Sequence, residues 1–423
     1  MKVVLICTSE KKGGAAVACD RLMKALQKAD MEVKRIVLDK STQNPDVLSV
    51  NGSFRLKIWN KFRFLWERFV IWKDNGFSRK TLFQVSIANT GTDVSRLPEV
   101  KVADIIHLHW INQGMLSLNN IRQLLGLGKP IVWTLHDMWA FTGICHYSGD
   151  CDRFQERCGC CPLLGTKAGN KDLSFRILQK KLKLDYGRIG FVTCSSWLQR
   201  IASESLLLKN QNVSSIPNPI DVSLFKPLEK QISREKFSLK TGKKLILFGA
   251  VKLTDERKGY RYFCEAVKLL QQSYPELKEQ VELVFLGDIK GEMSEVEGYK
   301  SNFAGYLSDT NAIVQLYNAV DVFVIPSLED NLPNTVMESM ACGTPVVGFD
   351  VGGIPEMIVH KQTGYVAEYK NSMDLMRGIF WVLFEAGEKN LREHSVKRVR
   401  NLYGETVVAK QYISIYSELL VKG

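Results

Sequence analysis

Short apolar runs alternate with helical periodicity along this chain. Residues 3–7, 32–38, 104–109, 130–135 and 191–194 are rich in Val, Ile and Leu at consecutive positions, the pattern of strands covered on both faces of a parallel sheet. Between them, stretches such as 16–29 repeat their apolar positions every three to four residues and predict amphipathic helices. A second series follows at 244–248, 281–286, 302–305, 322–325 and 345–349. Two successive strand–helix series predict an α/β protein with two doubly wound, Rossmann-like domains. Between the series, SIPNPIDVSLFKP carries Pro217, Pro219 and Pro227. Proline fixes φ and breaks helices, so 217–228 reads as a linker between domains at 1–216 and 229–400, with 401–423 a terminal helix. Ligands of open α/β sheets sit beyond the carboxyl ends of the strands, and two such domains facing each other would enclose a cleft.

Charge adds what periodicity cannot. The 423 residues hold 57 Lys and Arg against 45 Asp and Glu, a net charge of +12, which favours an anionic partner: nucleic acid, an acidic membrane surface or a phosphorylated substrate. The excess is concentrated. Segment 53–80 has eight basic and two acidic residues and segment 167–188 has seven and two, so they hold +11 of the +12. Both fall in the first domain, a poor match to a nucleic-acid groove along the whole molecule, and no nucleic-acid-binding motif is present. The opening MKVVLICTS turns polar too soon for a signal peptide and reads as a buried strand. With ten cysteines in a long chain, this points to a reducing cytoplasm.

Two segments carry open alternatives. Within 53–80, Phe54, Ile58, Phe62, Leu65, Phe69 and Trp72 recur at spacings of four and three, with Trp59 and Trp66 interleaved and mostly Lys or Arg at the polar positions. This is an amphipathic helix, suited either to an anionic bilayer surface or to ordinary packing on its domain. CHYSGDCDRFQERCGCC offers Cys145, Cys151, Cys158 and Cys161 for a structural zinc; a reduced, buried cysteine cluster is the alternative. Asp150 and Asp152 form a D-x-D in the same loop, read as coincidence.

The segment that decides the class is PSLEDNLPNTVMESMACGTPVVGFDVGGIPEMI, 326–358. Glu329 and Asp330 follow a strand, Glu338 falls in the apolar stripe of a helix, and Gly352 and Gly353 open the next turn. Ionised carboxylates are pure acceptors and suit sugar and ribose hydroxyls. Asp330 and Asn331 are also good helix caps, but a carboxylate in a buried stripe is rare unless paired. The segment resembles the donor-binding signature of the retaining GT-B glycosyltransferases of family 4: Pro-Ser, then two acids eight residues apart, then a small-Gly-x-Pro-Val-Val strand. Glu338 matches the second acid, which in the family holds the ribose. The first falls on Asp330, an Asp where the family has Glu, with Glu329 displaced by one. By register the resemblance assigns Asp330, Asn331 and Leu332 to the sugar hydroxyls. FGAVKLTDERKGYRYFCEA resembles the pyrophosphate-binding segment, with Lys258 on its Lys-Gly. The family's Arg follows the strand-end Gly, where this chain has Ala250, and Arg257 is the nearest substitute. GYLSD resembles the base-binding region, which brings in Tyr306 and Leu307. The last helix resembles one that crosses back to the first domain.

In the first domain, Gly13 and Gly14 resemble the family's Gly-Gly turn near the pyrophosphate. Glycine permits close approach there and a helix N-terminus attracts phosphate. The turn is not the G-x-G-x-x-G of a dehydrogenase. TLHDMWAFTG resembles the family segment whose His, here His136, contacts the donor sugar near the reacting carbon. His107 and His109 alternate at strand period and read as core or supporting residues. The resemblance implies a retaining transferase that moves a sugar from a nucleotide-sugar to a glycan acceptor, with no essential catalytic metal and no enzyme nucleophile. With the basic helix, it implies a lipid-linked glycan of a bacterial surface polysaccharide, made at the inner face of the cytoplasmic membrane. The alternatives are a sugar-nucleotide epimerase of the same fold and a basic nucleic-acid-binding protein.

Overall fold

The β-branched runs form two parallel sheets. The computed structural model describes residues 1–252, 255–288, 295, 296 and 298–422. It divides into two units, Met1–Pro219 with Val408–Gly423, and Ile220–Val407. The first unit holds β1 (Lys2–Ile6), β2 (Glu32–Val37), β3 (Val47–Ser49), β4 (Ile105–Leu108), β5 (Ile131–Leu135), β6 (Ile189–Thr193) and β7 (Val213–Ser215). They lie in the order 3-2-1-4-5-6-7, every pair parallel. The second unit holds β8 (Lys244–Lys252), β9 (Val281–Asp288), β10 (Glu295–Val296), β11 (Tyr299–Gly305), β12 (Val322–Ile325), β13 (Val346–Phe349) and β14 (Gly364–Ala367). Their order is 10-11-9-8-12-13-14, and only β10 pairs antiparallel. In each sheet the order reverses next to the unit's first strand, between β1 and β4 and between β8 and β12. Such switch points are where open α/β sheets bind ligands.

Each predicted strand is present, with ends shifted by at most four residues and 322–325 matched at both ends. β3, β7, β10 and β14 were not expected; runs of two to four residues are too short to show a period. Side chains alternate across the first sheet as pleating requires. Val4, Ile6 and Leu108 enter one core, and Val3, Leu5 and Ile105 enter the other with the helix Gly14–Gln27.

The proline-rich stretch 217–228 is divided between the units. Ile220 donates its N–H to Tyr403 O at 2.8 Å, and Leu228 donates to Asn318 Oδ1 at 2.7 Å, so residues from 220 onward are held by the second unit. The chain ends in two helices, Glu388–Tyr403 and Glu405–Lys422. Tyr412 and Tyr416 of the last helix are buried in the first unit's core. The Tyr416 hydroxyl meets His107 Nδ1 at 2.7 Å and the Tyr412 hydroxyl meets Thr134 Oγ1 at 2.9 Å.

Two surface expectations change. Lys181, one of the seven basic residues of 167–188, is buried; its ammonium donates to Trp139 O and Thr142 O and lies 3.7 Å from the Trp139 ring centre. Burial lowers its pKa to about 7, so it adds little to a surface charge patch. The helix forms over Phe54–Asp74 within the expected 53–80; it packs on its domain by its polar side, and its apolar stripe faces outward.

Candidate active site

At the second switch point the loops after β8 and β12 meet. Beyond β8, the side chain of Asp255 accepts the Arg257 N–H at 3.1 Å and starts a single 3₁₀ turn, Glu256–Lys258. The Arg257 guanidinium also reaches Asp255 Oδ2 at 3.4 Å. Beyond β12, the loop from Pro326 carries Asp330. The carboxylate of Asp330 accepts from Lys258 Nζ at 2.6 Å and from Ser327 Oγ at 3.3 Å. Its helix-capping alternative is excluded, because Pro333 is the N-cap of the following helix, Asn334–Ala341.

Close backbone contacts fix this arrangement. Leu328 N–H donates to Arg257 O at 2.7 Å, and Gly353 N–H donates to Asp330 O at 3.3 Å. A Cβ on Gly259 would lie 1.8 Å from Pro326 O, and one on Gly352 would lie 1.8 Å from Asp330 O. Both glycines have positive φ, +70° and +60°, so glycine is required twice over to bring these loops together. The Lys258 and Asp330 side chains remain 27% and 14% exposed. The pair is mostly buried but retains an open side from which a ligand can reach both groups.

Around the pair, Asn331 and Leu332 are buried and Glu329 is half-buried. Glu338 sits inside the helix Asn334–Ala341 with 8% exposure. The Tyr317 hydroxyl donates to Glu338 Oε2 at 3.3 Å. A buried carboxylate needs such a partner; Tyr317 lies on the preceding helix, Thr310–Ala319. Tyr306 and Leu307 follow β11, and Tyr306 is exposed.

The first unit has a histidine row at its switch point. Because its strands are all parallel, the turn after β1, His109 after β4 and His136 after β5 share one sheet edge. Gly13 and Gly14 are exposed there at the start of the helix Gly14–Gln27. The turn preceding them is held from below by the fully buried Arg35. Its guanidinium donates to Ser9 O at 2.7 Å, Glu10 O at 3.0 Å and Ala16 O at 3.1 Å.

His136 Nε2 lies 3.0 Å from His109 Nδ1, and its Nδ1 lies 3.5 Å from Cys194 Sγ. The rings of His107 and His109 stack at 4.3 Å, and those of His109 and His136 at 5.3 Å. Burial lowers the pKa of His136 to about 4 and that of His107 to about 3, and holds His109 well below the usual value. All three are neutral at physiological pH, so His136 can donate or accept a hydrogen bond but brings no charge. The adjacent Asp137 accepts from Trp110 Nε1 at 2.8 Å and the Trp139 N–H at 2.9 Å, and meets His146 Nδ1 at 2.7 Å. Burial alone would raise its pKa; His146 and these donors outweigh it, and the carboxyl is held below its ordinary range.

The cysteine loop is where the sequence offered a structural zinc, on Cys145, Cys151, Cys158 and Cys161. Among the described residues no three His, Cys, Asp or Glu side chains gather into a group able to hold a metal. Burial raises the thiol pKa of Cys145 to about 12, Cys158 to about 11 and Cys161 to about 12. Asp150 and Asp152 are exposed in the same loop.

Sequence reasoning missed Ser327, Tyr317, Asp137 and Cys194. Asp137 was within reach, as the immediate neighbour of His136. Ser327 was within reach too, three residues before Asp330 and in the Pro-Ser of the motif; Tyr317 and Cys194 depend on contacts between separate elements and carry no local signal.

Comparison with known proteins gives the family and the fold. The family model described as Glycosyltransferase Family 4 matches residues 12–224, half of the chain, and that described as Glycosyl transferases group 1 matches 242–384. An N,N'-diacetylbacillosaminyl-diphospho-undecaprenol alpha-1,3-N-acetylgalactosaminyltransferase of Campylobacter jejuni is 29% identical over 159 residues, 37% of this chain and 42% of that protein. The match thus spans less than half of that relative's length. Sucrose-phosphate synthase from Thermosynechococcus elongatus superposes over 100% of both chains with a TM-score of 0.68 and 17% identity. Anabaena HepE, solved in complex with UDP, superposes over 99% of this chain and 100% of its own with a TM-score of 0.64 and 15% identity. These structural likenesses show the fold, which is GT-B.

Proposed function

The chain belongs to glycosyltransferase family 4, and from that membership we propose that it transfers a sugar from a nucleotide-diphosphate-sugar to a glycan acceptor with retention of configuration. The observation that carries this reading is the Lys258–Asp330 pair at 2.6 Å, on the loops that leave β8 and β12. A donor brings a diphosphate beside a sugar, and a cation beside a carboxylate matches both. Lys258 and Arg257 neutralise charge that grows on the diphosphate as the glycosidic C–O bond breaks. Asp330 accepts from sugar hydroxyls, with Asn331 and Leu332 beside it. Glu338, oriented by Tyr317, accepts from the ribose hydroxyls. Tyr306 and Leu307 flank the base, and Gly13 and Gly14 give the diphosphate a close backbone approach. His136, neutral and oriented by His109, hydrogen-bonds the donor sugar near the reacting carbon. No protein group acts as nucleophile; the leaving phosphate takes the acceptor's proton on the face it departs from, and no metal is required.

The acceptor is read as lipid-linked, in synthesis of a bacterial surface polysaccharide at the cytoplasmic face of the membrane. Support comes from the Campylobacter relative, whose name places its acceptor on a diphospho-undecaprenol. Incubation with a panel of nucleotide-sugars, with and without a diphosphate-lipid-linked glycan, tests this. One donor should be consumed faster when acceptor is present, and product analysis should show a new α or β linkage matching the donor's anomer. Epimerised donor without transfer would replace the reading with the epimerase. Glu338→Ala should lower donor use by roughly 10²-fold, through loss of a charge-assisted hydrogen bond of about 2–3 kcal/mol, with Tyr317→Phe intermediate. Full activity in Glu338→Ala would remove the ribose assignment.

A further inference from the structure

The helix Phe54–Asp74 is amphipathic with its sides reversed. Asn60, Glu67, Arg68 and Ile71 are its buried residues. Glu67 accepts the backbone N–H groups of Ile87 and Ala88 at 2.9 and 3.0 Å and pairs with Arg68 at 2.9 Å. Arg68 donates to the carbonyls of Leu82 and Val85 at 2.6 and 3.1 Å. Asn60 donates to Asn51. The helix is thus anchored by its polar side.

Its apolar side is left open. Phe54, Ile58, Phe62, Leu65, Trp66 and Phe69 are between 47% and 77% exposed. At about 100° per residue they share an arc of about 120°. The rings pack on one another, Trp59 on Phe62 and Trp66 on Phe69, both at 5.7 Å. Phe77, 59% exposed, extends the patch beyond the helix through Trp72, whose ring it meets at 4.7 Å. A continuous apolar surface of this kind marks an interaction site.

Charge selects the occupant. The fully exposed charged residues of 53–80 are Arg55, Lys57, Lys61, Lys73, Arg79 and Lys80. Its two acids are withdrawn: Glu67 is buried, and Asp74 is half-buried and pairs with Arg176 at 3.2 Å. A second copy docking by the same face would oppose cation to cation, since a two-fold interface sets one patch against itself. An anionic bilayer meets both demands. Phosphates take the Lys and Arg heads, which snorkel from the sides of the stripe, while tryptophans settle at headgroup depth. Among the described residues no helix is long and apolar enough to cross a membrane, so the contact is with one leaflet. We infer that this helix lies flat in the interface of an anionic membrane, with the Phe54–Phe69 stripe turned into the acyl boundary. The inference holds for any acceptor, so it stands or falls separately from the proposed transfer.

Flotation of the full chain with phosphatidylcholine vesicles, with or without phosphatidylglycerol, tests it. The protein should float with the phosphatidylglycerol vesicles, show blue-shifted tryptophan emission, and be released as salt rises. The triple variant Phe62→Ser/Trp66→Ser/Phe69→Ser alters only exposed side chains, so its Tm should be unchanged while vesicle affinity falls more than tenfold. Lys57→Gln/Lys61→Gln/Lys73→Gln should lose roughly a hundredfold on anionic vesicles. Absence of flotation by the wild type, equal binding to neutral vesicles, or undiminished binding by the serine variant would each overturn the inference. So would a dimer in sedimentation velocity that the serine variant dissociates, with no vesicle binding.

Discussion

Lys258→Ala should lower turnover by roughly 10²–10³-fold, the range seen when one group stabilising a developing negative charge is removed. The ammonium lies 2.6 Å from Asp330 Oδ2 and is 27% exposed, open to a diphosphate as well as to its partner. Steady-state kinetics with a saturating acceptor measures the loss. The Asp330 carboxylate is only 14% exposed, so losing its cation should also lower the Tm, and turnover is therefore read well below the variant's Tm. Lys258→Arg keeps the charge and should recover part of the rate. Asp330→Asn removes the carboxylate but keeps its shape, and should lower turnover while leaving Lys258 to the diphosphate. If Lys258→Ala cost several degrees of Tm and no turnover, the pair would be structural and the donor site would lie elsewhere.

Acidification should destabilise the first unit before most carboxylates titrate. Burial lowers the pKa of His107 to about 3 and holds His109 well below the ordinary value, so both stay neutral when folded. In the unfolded chain each takes up a proton below about pH 6.5. The unfolded state then binds more protons, and stability falls as pH drops through that value. Their contribution is fully present above about pH 7 and is lost progressively as pH falls toward the folded value of about 3 for His107. At pH 5 the loss is about 2 kcal/mol per histidine, on the order of 4 kcal/mol for the two. His136, lowered to about 4 by burial, keeps some contact with solvent and should add less. For a unit of this size that is roughly 10 °C in Tm between pH 7 and pH 5. Denaturant melts across this range measure it. His107→Gln can still meet the Tyr416 hydroxyl and Thr134, both 2.7 Å from the ring in the wild type, but does not titrate. It should remove close to half of the effect, and an unchanged pH slope would reject the histidine row as its source.

Much of the proposed donor site was legible because it is local. Asp330 and Glu338 are eight residues apart, on one loop and the helix that follows, and Lys258 sits in a single Lys-Gly turn. Spacing within one segment survives folding, so a motif can be read from it. The roles of neighbours were not legible. Tyr317 reaches Glu338 from another helix, and Gly259 matters because its backbone passes Pro326, 67 residues away in sequence. The cysteine loop shows the same limit: C-x-x-C spacing brings thiols near in sequence, whereas convergence on a metal depends on how the whole loop packs.

The +12 charge and the helix at 53–80 divide along this line. By itself the sequence determined two Rossmann-like sheets, because strand and helix periods are short-range properties of polar and apolar order. It also determined that a Trp-rich amphipathic helix bears most of its polar positions as Lys or Arg. Only the tertiary structure decided which side of that helix faces the protein. The wheel has an apolar arc and a polar one, and either can be buried if its groups find partners. Backbone N–H groups at Ile87 and Ala88 and carbonyls at Leu82 and Val85 supply those partners for Glu67 and Arg68. The polar side turns inward, and the apolar side is left for another surface.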